Sequence, residues 1–227
     1  MLCLLYRMGY AGESVQYRNL FIRCHGIMDY SRSNLNRKPT KQSNESTFEF
    51  NWYTLIATWF CVGKIRIAPG TLGSLAVYPL YYGIAVYLAG TIPEARLYFM
   101  ILIIGIGLIG FPAILLYQRR YGCIDDSAIV VDEVIGQLIT IWIGLPGLIH
   151  LSYRYANLMN ISEVNFVFLV AFLTFRFFDI RKVFGISLID RYIKNTVGVM
   201  LDDVVAGIYA GLLIIATYEV ASVMRVL

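Results

Sequence analysis

Two stretches of the chain, 71–92 and 97–117, run for 22 and 21 residues without a charged side chain. About 20 apolar residues in a helix span the roughly 30 Å of a bilayer's hydrocarbon. A helix also satisfies its own backbone donors and acceptors there, which a single strand cannot do. Three further apolar segments, 128–151, 161–178 and 197–218, are of similar length but contain acids or an arginine. Residues 52–62 are apolar but too short to cross, and are expected to lie at the interface or pack as a short helix. Composition agrees: 58% of the 227 residues are hydrophobic and 15% charged, against about 45–50% and 25% in a soluble domain.

The predicted fold is therefore all-α, a multi-pass bundle of about five membrane-associated helices over residues 51–227. Residues 1–50 form a separate extension. Its polar run 31–47 predicts disorder, while Tyr17, Leu20, Phe21 and Cys24 have the spacing of an interfacial helix. The four cysteines show no paired or CxxC spacing, which argues against a disulfide scaffold or a thiolate zinc site and predicts reduced thiols. A net charge of +4 is too small and dispersed for nucleic-acid binding, so the bases read as topology signals. With a cytoplasmic amino terminus and alternating sides, fifteen Lys and Arg fall on the cytoplasmic side. Arg96, Arg154 and Arg225 fall opposite, and Arg176 sits inside a span. The positive-inside rule supports that orientation.

Six charged residues then interrupt the apolar segments near that one face. Asp132 and Glu133 begin the third segment, Arg176 and Asp179 end the fourth, and Asp202 and Asp203 begin the fifth. Helix-end charges at a cytoplasmic boundary are ordinarily Lys or Arg, and a charge at the bilayer centre costs about 2.5–3.5 kcal/mol on insertion scales. Acids here point to function. Arg176, Asp179 and Lys182 are three apart and share a helix face, and their summed charge suits an anion. Glu133 and Gln137 share another face, and Asp132 lies over Gly136, where the missing side chain leaves room for a ligand or a backbone. Asp202 and Asp203 are followed by Ala206, Gly207, Ala210 and Gly211, a ridge that lets a second helix approach. Carboxylates from several helices together with cations make the composition of a magnesium and phosphate site.

The segment GKIRIAPGTLGS, 63–74, precedes the first span on the same face. Freed amides, the hydroxyls of Thr71 and Ser74, and the Lys64 ammonium suit phosphate oxygens. Other phosphate chemistries are absent from the sequence. There is no GxxxxGK followed by Ser or Thr, Cys61 and Arg66 are one residue too close for a cysteine-phosphatase loop, and His25 and His150 cannot furnish a phosphohistidine mechanism with its acid. Gly105, Gly107 and Gly110 match GxGxxG, but inside an apolar run with no strand before them they read as helix-packing residues.

Taken together, APGTLGS at 68–74, DDSAIVVDEVIGQ at 125–137, FRFFDIRKVFGISLIDR at 175–191 and VGVMLDDVVAGIYAG at 197–211 resemble the phosphatidylglycerophosphatase A family. The resemblance covers 61–213. Val183 stands where the family has a proline, and Asn195 and Thr196 stand where it has glycines, differences that bear on loop geometry. The resemblance implies a helical-bundle, Mg2+-dependent phosphatase that converts phosphatidylglycerophosphate to phosphatidylglycerol in glycerophospholipid biosynthesis. Its substrate would lie in the cytoplasmic leaflet of the inner membrane. Asp132, Glu133, Asp179, Asp202 and Asp203 become the expected metal ligands, with Asp132, Glu133, Asp179 and Asp203 catalytic. Arg176, Lys182, Thr71 and Lys64 are expected to hold the substrate. The nucleophile stays open between a water and an aspartate. Two competing readings are an ion- or proton-coupled transporter, which should show internal repeats and acids at the midplane, and a non-catalytic lipid-binding bundle, which would release no phosphate.

Overall fold

The structure, a computed structural model, describes residues 51–123, 126–181, 185 and 195–224. The 1–50 extension, Asp125 and Lys182 lie outside the described residues. Every regular element described is helical, with no strand among the described residues. The short apolar segment forms helix α1 (Trp52–Ala57). Trp59, Phe60 and Cys61 then take left-handed φ values of 44°, 56° and 71° and turn the chain into a single 3-10 turn, Val62–Lys64.

The first uncharged stretch is broken. It comprises α2 (Pro69–Leu75), α3 (Tyr78–Gly83) and a π turn over Ile84–Leu88. Pro79 supplies the physical reason, since it has no N–H to give the carbonyl of Leu75 and its ring crowds that carbonyl. By contrast α4 (Ile92–Tyr121) is continuous. Thr91 and Glu94 close a reciprocal capping box at its start, Arg119 and Arg120 face the negative end of its dipole, and Gly122 at φ 70° ends it. Helices α5 (Val131–Tyr155), α6 (Glu163–Arg181) and α7 (Thr196–Val223) complete the bundle. The Asn195 side chain caps α7 by accepting from the Gly198 N–H at 3.0 Å.

Among the described residues, four stretches, Pro69–Leu88, α4, α5 and α7, are long and apolar enough to cross a membrane. The expected fourth span forms as α6, but Glu163, Arg176, Asp179 and Arg181 leave it too charged to meet the same measure. Leu97, Ile101, Ile104 and Leu108 of α4 and Leu212 and Leu213 of α7 are exposed. On helices of this length, such apolar surface is what lipid covers.

Helix α5 is the axis of the bundle, buried along most of its length. Its tightest neighbour is α7, and the two run parallel. A Cβ on Gly207 would overlap the Gly136 carbonyl, and one on Gly211 would lie 2.6 Å from the Ile143 Cβ. Thr140 joins the seam by donating to the carbonyls of Gly136 at 3.0 Å and Gly207 at 3.2 Å. The ridge predicted at Ala206, Gly207, Ala210 and Gly211 is thus buried against a helix as expected. Among the GxGxxG glycines the outcome is divided. Gly110 packs on Val131, but a Cβ on Gly105 or Gly107 would meet nothing within 4 Å. The cysteines divide as well. Cys123 is a reduced thiol as expected, whereas Cys61 is disulfide-bonded, because sequence spacing does not say which thiols meet in space.

Candidate active site

The charged residues predicted to interrupt the spans collect at one end of the bundle. The first turn of α5 carries Asp132 and Glu133, the second turn of α7 carries Asp203, and the last turns of α6 carry Arg176 and Asp179. Because α5 and α7 start at the same end, where the antiparallel α6 finishes, short segments from three helices meet there. The glycine seam sets the spacing. A Cβ on Gly136 would lie 2.7 Å from the Asp203 carbonyl oxygen and 2.6 Å from the Phe175 ring. The space left beneath Asp132 is therefore filled by the α7 backbone and an aromatic ring, and no ligand is needed to occupy it.

Ligand oxygens of Asp132, Glu133 and Asp203 all lie within 4.8 Å of one another. Asp132 and Asp203 are buried. Asp202 and Asp179 add like charge to this cluster. Asp202 also accepts the Asp203 N–H at 3.1 Å, as Asp132 accepts the Glu133 N–H at 3.1 Å. Arg176 is the counter-charge, paired with Asp179 one turn away. The Oε2 of Glu133 and the Nε of Arg176 are buried without a hydrogen-bond partner. Buried carboxylates this close repel strongly, and one cation cannot balance them in a poorly solvated site. The donor set is oxygen only, which suits a hard divalent cation rather than a thiolate-seeking metal. The residues present fit such an ion, and the orphaned Glu133 oxygen is what a metal or its ligand would satisfy.

The glycine loop closes over this cluster. A Cβ on Gly70 would overlap the Glu133 carboxylate and lie 3.3 Å from the Arg176 Nη1. Only a glycine lets the start of α2 lie on both groups. Ala68, just before it, is held at φ 46°, a conformation that costs a non-glycine residue about 1–2 kcal/mol. Thr71, half-buried, follows Gly70 on the same short helix. Ser74 does not keep its hydroxyl for a ligand, since it donates to the Gly70 carbonyl at 3.0 Å.

Lys64 is drawn into a second network. Its Nζ donates to the Tyr117 hydroxyl at 2.8 Å, and Tyr117 donates to Asp126 at 2.8 Å. The ammonium also lies 5.2 Å and 5.5 Å from the ring centres of Tyr117 and Tyr121. Burial holds the Lys64 pKa below its usual value, and the nearby Asp126 opposes that shift. Asp126 further accepts the Ala128 N–H at 3.0 Å, so the network ties the 3-10 turn and α4 to the loop that leads into Asp132. Tyr117 and Asp126 were not singled out in the sequence, because nothing in their spacing places them beside Lys64.

A bundle of apolar helices that gathers three carboxylates and a guanidinium at one end defines a membrane protein with an acidic, metal-competent site. The phosphatidylglycerophosphatase A family model matches residues 55–218. Phosphatidylglycerophosphatase A of Haemophilus influenzae is 34% identical over 165 residues, covering 71% of this chain and 86% of that protein. The protein of the same name from Escherichia coli is 32% identical over 164 residues, 72% of this chain and 82% of its own length. A Bacteroides thetaiotaomicron protein provisionally named a phosphatidylinositol-3-phosphatase is 33% identical over 162 residues, 70% of this chain and 89% of its own. No solved structure matches. The chain belongs to the phosphatidylglycerophosphatase A family and is a phosphatase.

Proposed function

We propose that this protein hydrolyses the terminal phosphomonoester of phosphatidylglycerophosphate, releasing phosphatidylglycerol and inorganic phosphate, with Mg2+ as its cofactor. The observation that carries the reading is the convergence of Asp132, Glu133 and Asp203 beside Arg176, because a phosphomonoester dianion needs both a metal and a cation to be held and neutralised. Asp132, Glu133 and Asp203 hold the metal, with Asp179 and Asp202 completing the acidic set. When bound, the ion neutralises charge on the transferring phosphoryl group and orients it. Arg176 grips the phosphate oxygens through a forked guanidinium, joined by Lys182 and the Thr71 hydroxyl, while Asp179 keeps that guanidinium in place. Lys64 acts on the loop before α5 through Tyr117 and Asp126. The glycerol side of the lipid faces the bilayer, and the positive-inside tally supports a site on the cytoplasmic leaflet, which we assign to the inner membrane.

The test is phosphate release from phosphatidylglycerophosphate by purified protein in detergent, with and without chelator. Release that stops with chelator and returns with Mg2+ is expected. Phosphatidylinositol 3-phosphate serves as the comparison substrate, given the name of the Bacteroides relative. Faster turnover of that lipid, or release indifferent to chelator, would overturn the assignment.

A further inference from the structure

The opposite end of the bundle holds a second place where polar groups converge. The α5–α7 seam is tight as far as Gly147, where a Cβ would lie 3.2 Å from the Tyr218 Cβ. One turn later His150 stacks on the Tyr218 ring, with centroids 4.8 Å apart and planes at 16°. There the two helices leave a cavity of about 390 Å3 lined by His150, Tyr153, Arg154, Tyr218 and Ser222. From Asp132 to Arg154 along α5 is about 33 Å, and from Asp203 to Ser222 along α7 about 29 Å. Both lengths are close to the thickness of the hydrocarbon layer, so the cavity lies at the headgroup level opposite the acidic cluster.

We propose that this cavity binds the phosphodiester headgroup of an anionic phospholipid in the leaflet facing away from the phosphatase site. Arg154 has no ion-pair partner among the described residues, and a guanidinium is the side chain best shaped to take two phosphate oxygens. Tyr153 and Tyr218 bring hydroxyl donors to the same space, and His150 an imidazole, while the Ser222 hydroxyl donates to the Glu219 carbonyl at 2.8 Å. Tyrosines at this depth suit the headgroup layer, with rings against the chains and hydroxyls in the polar region. The apolar flank separates a lipid from a free anion. Tyr153, which lines the cavity, is exposed, a ring surface that acyl chains cover and inorganic phosphate does not use. The site is remote from the phosphatase chemistry and stands whether or not the proposed substrate is right.

The test counts lipids that stay bound to the full-length protein in native mass spectrometry, with phosphatidylserine, phosphatidylcholine or inorganic phosphate added. The wild-type protein should keep one more phosphatidylserine than the Arg154→Gln/His150→Gln variant, with no such difference for phosphatidylcholine. Phosphatidylserine should also raise the melting temperature of the wild type but not of the variant. Ser222→Phe, which fills the cavity while leaving Arg154 and His150 in place, should lose the same lipid. Phosphate release in phosphatidylcholine micelles should be unchanged in both variants. Equal retention of phosphatidylserine by wild type and variants overturns the proposal, as does displacement of the lipid by inorganic phosphate.

Discussion

Asp203 shows how much rests on single groups in this protein. It is one of three carboxylates within 4.8 Å, so Asp203→Asn, nearly identical in size, removes a charge and leaves the packing in place. Activity is expected to fall at least about a hundredfold, as loss of a metal ligand should cost no less than loss of a group supporting one. The melting temperature in detergent should hold or rise, because like charges no longer repel. A parallel loss of activity and of folded protein would instead make Asp203 a structural residue. Arg176→Lys tests the guanidinium. Lysine keeps the charge but not the fork, so the variant should show a raised KM in the phosphate-release assay even where kcat survives. Gly207→Ala tests the seam, since the new Cβ would overlap a backbone carbonyl that has nowhere to go. Overpacking of this kind costs about 1–3 kcal/mol, read as a lower melting temperature. These residues are legible as chemistry in the sequence, because acids in apolar segments are costly without a purpose. Their partners are not. That Gly136 makes room for α7 rather than for a ligand follows from the Phe175 ring and the Asp203 carbonyl lying over it.

Among the elements, the long helices follow from length and apolarity, with α4 bounded by its capping box and Gly122. The first span is the instructive departure. Its uncharged run predicts a single helix, yet Pro79 divides it, and the short α2 that results can lie across the acidic cluster as a straight spanning helix could not. The loop before α5 is the other element whose role emerges in three dimensions. Tyr117 links Lys64 to Asp126 across 53 and 9 residues of sequence, and so holds the turn that aims Asp132 and Glu133. Tyr117→Phe keeps the buried ring and removes both hydrogen bonds. The Mg2+ concentration for half-maximal activity should rise about tenfold, within the range seen when support to a metal ligand is lost. An unchanged metal dependence would reduce the network to a fold-stabilising contact.

For the molecule as a whole, the arrangement of acids decides between enzyme and transporter. Asp132, Glu133, Asp179, Asp202 and Asp203 sit at one end of the bundle, in the first turn of α5, the last of α6 and the second of α7, and not near the middle of the spans. That placement serves a headgroup at the membrane surface better than a path across it. Composition and periodicity alone establish that the chain is a helical membrane protein, because the bilayer accepts so few solutions to the backbone hydrogen-bond problem. Residue type alone marks Asp132, Glu133, Arg176 and Asp203 as costly and purposeful. Neither can say which of five acids share one ion, which loop covers them, or that a histidine and an arginine of α5 border one cavity with a tyrosine of α7. Those are facts of distance between residues remote in the chain, and they come into being when the glycine seam lets α5 and α7 lie against each other.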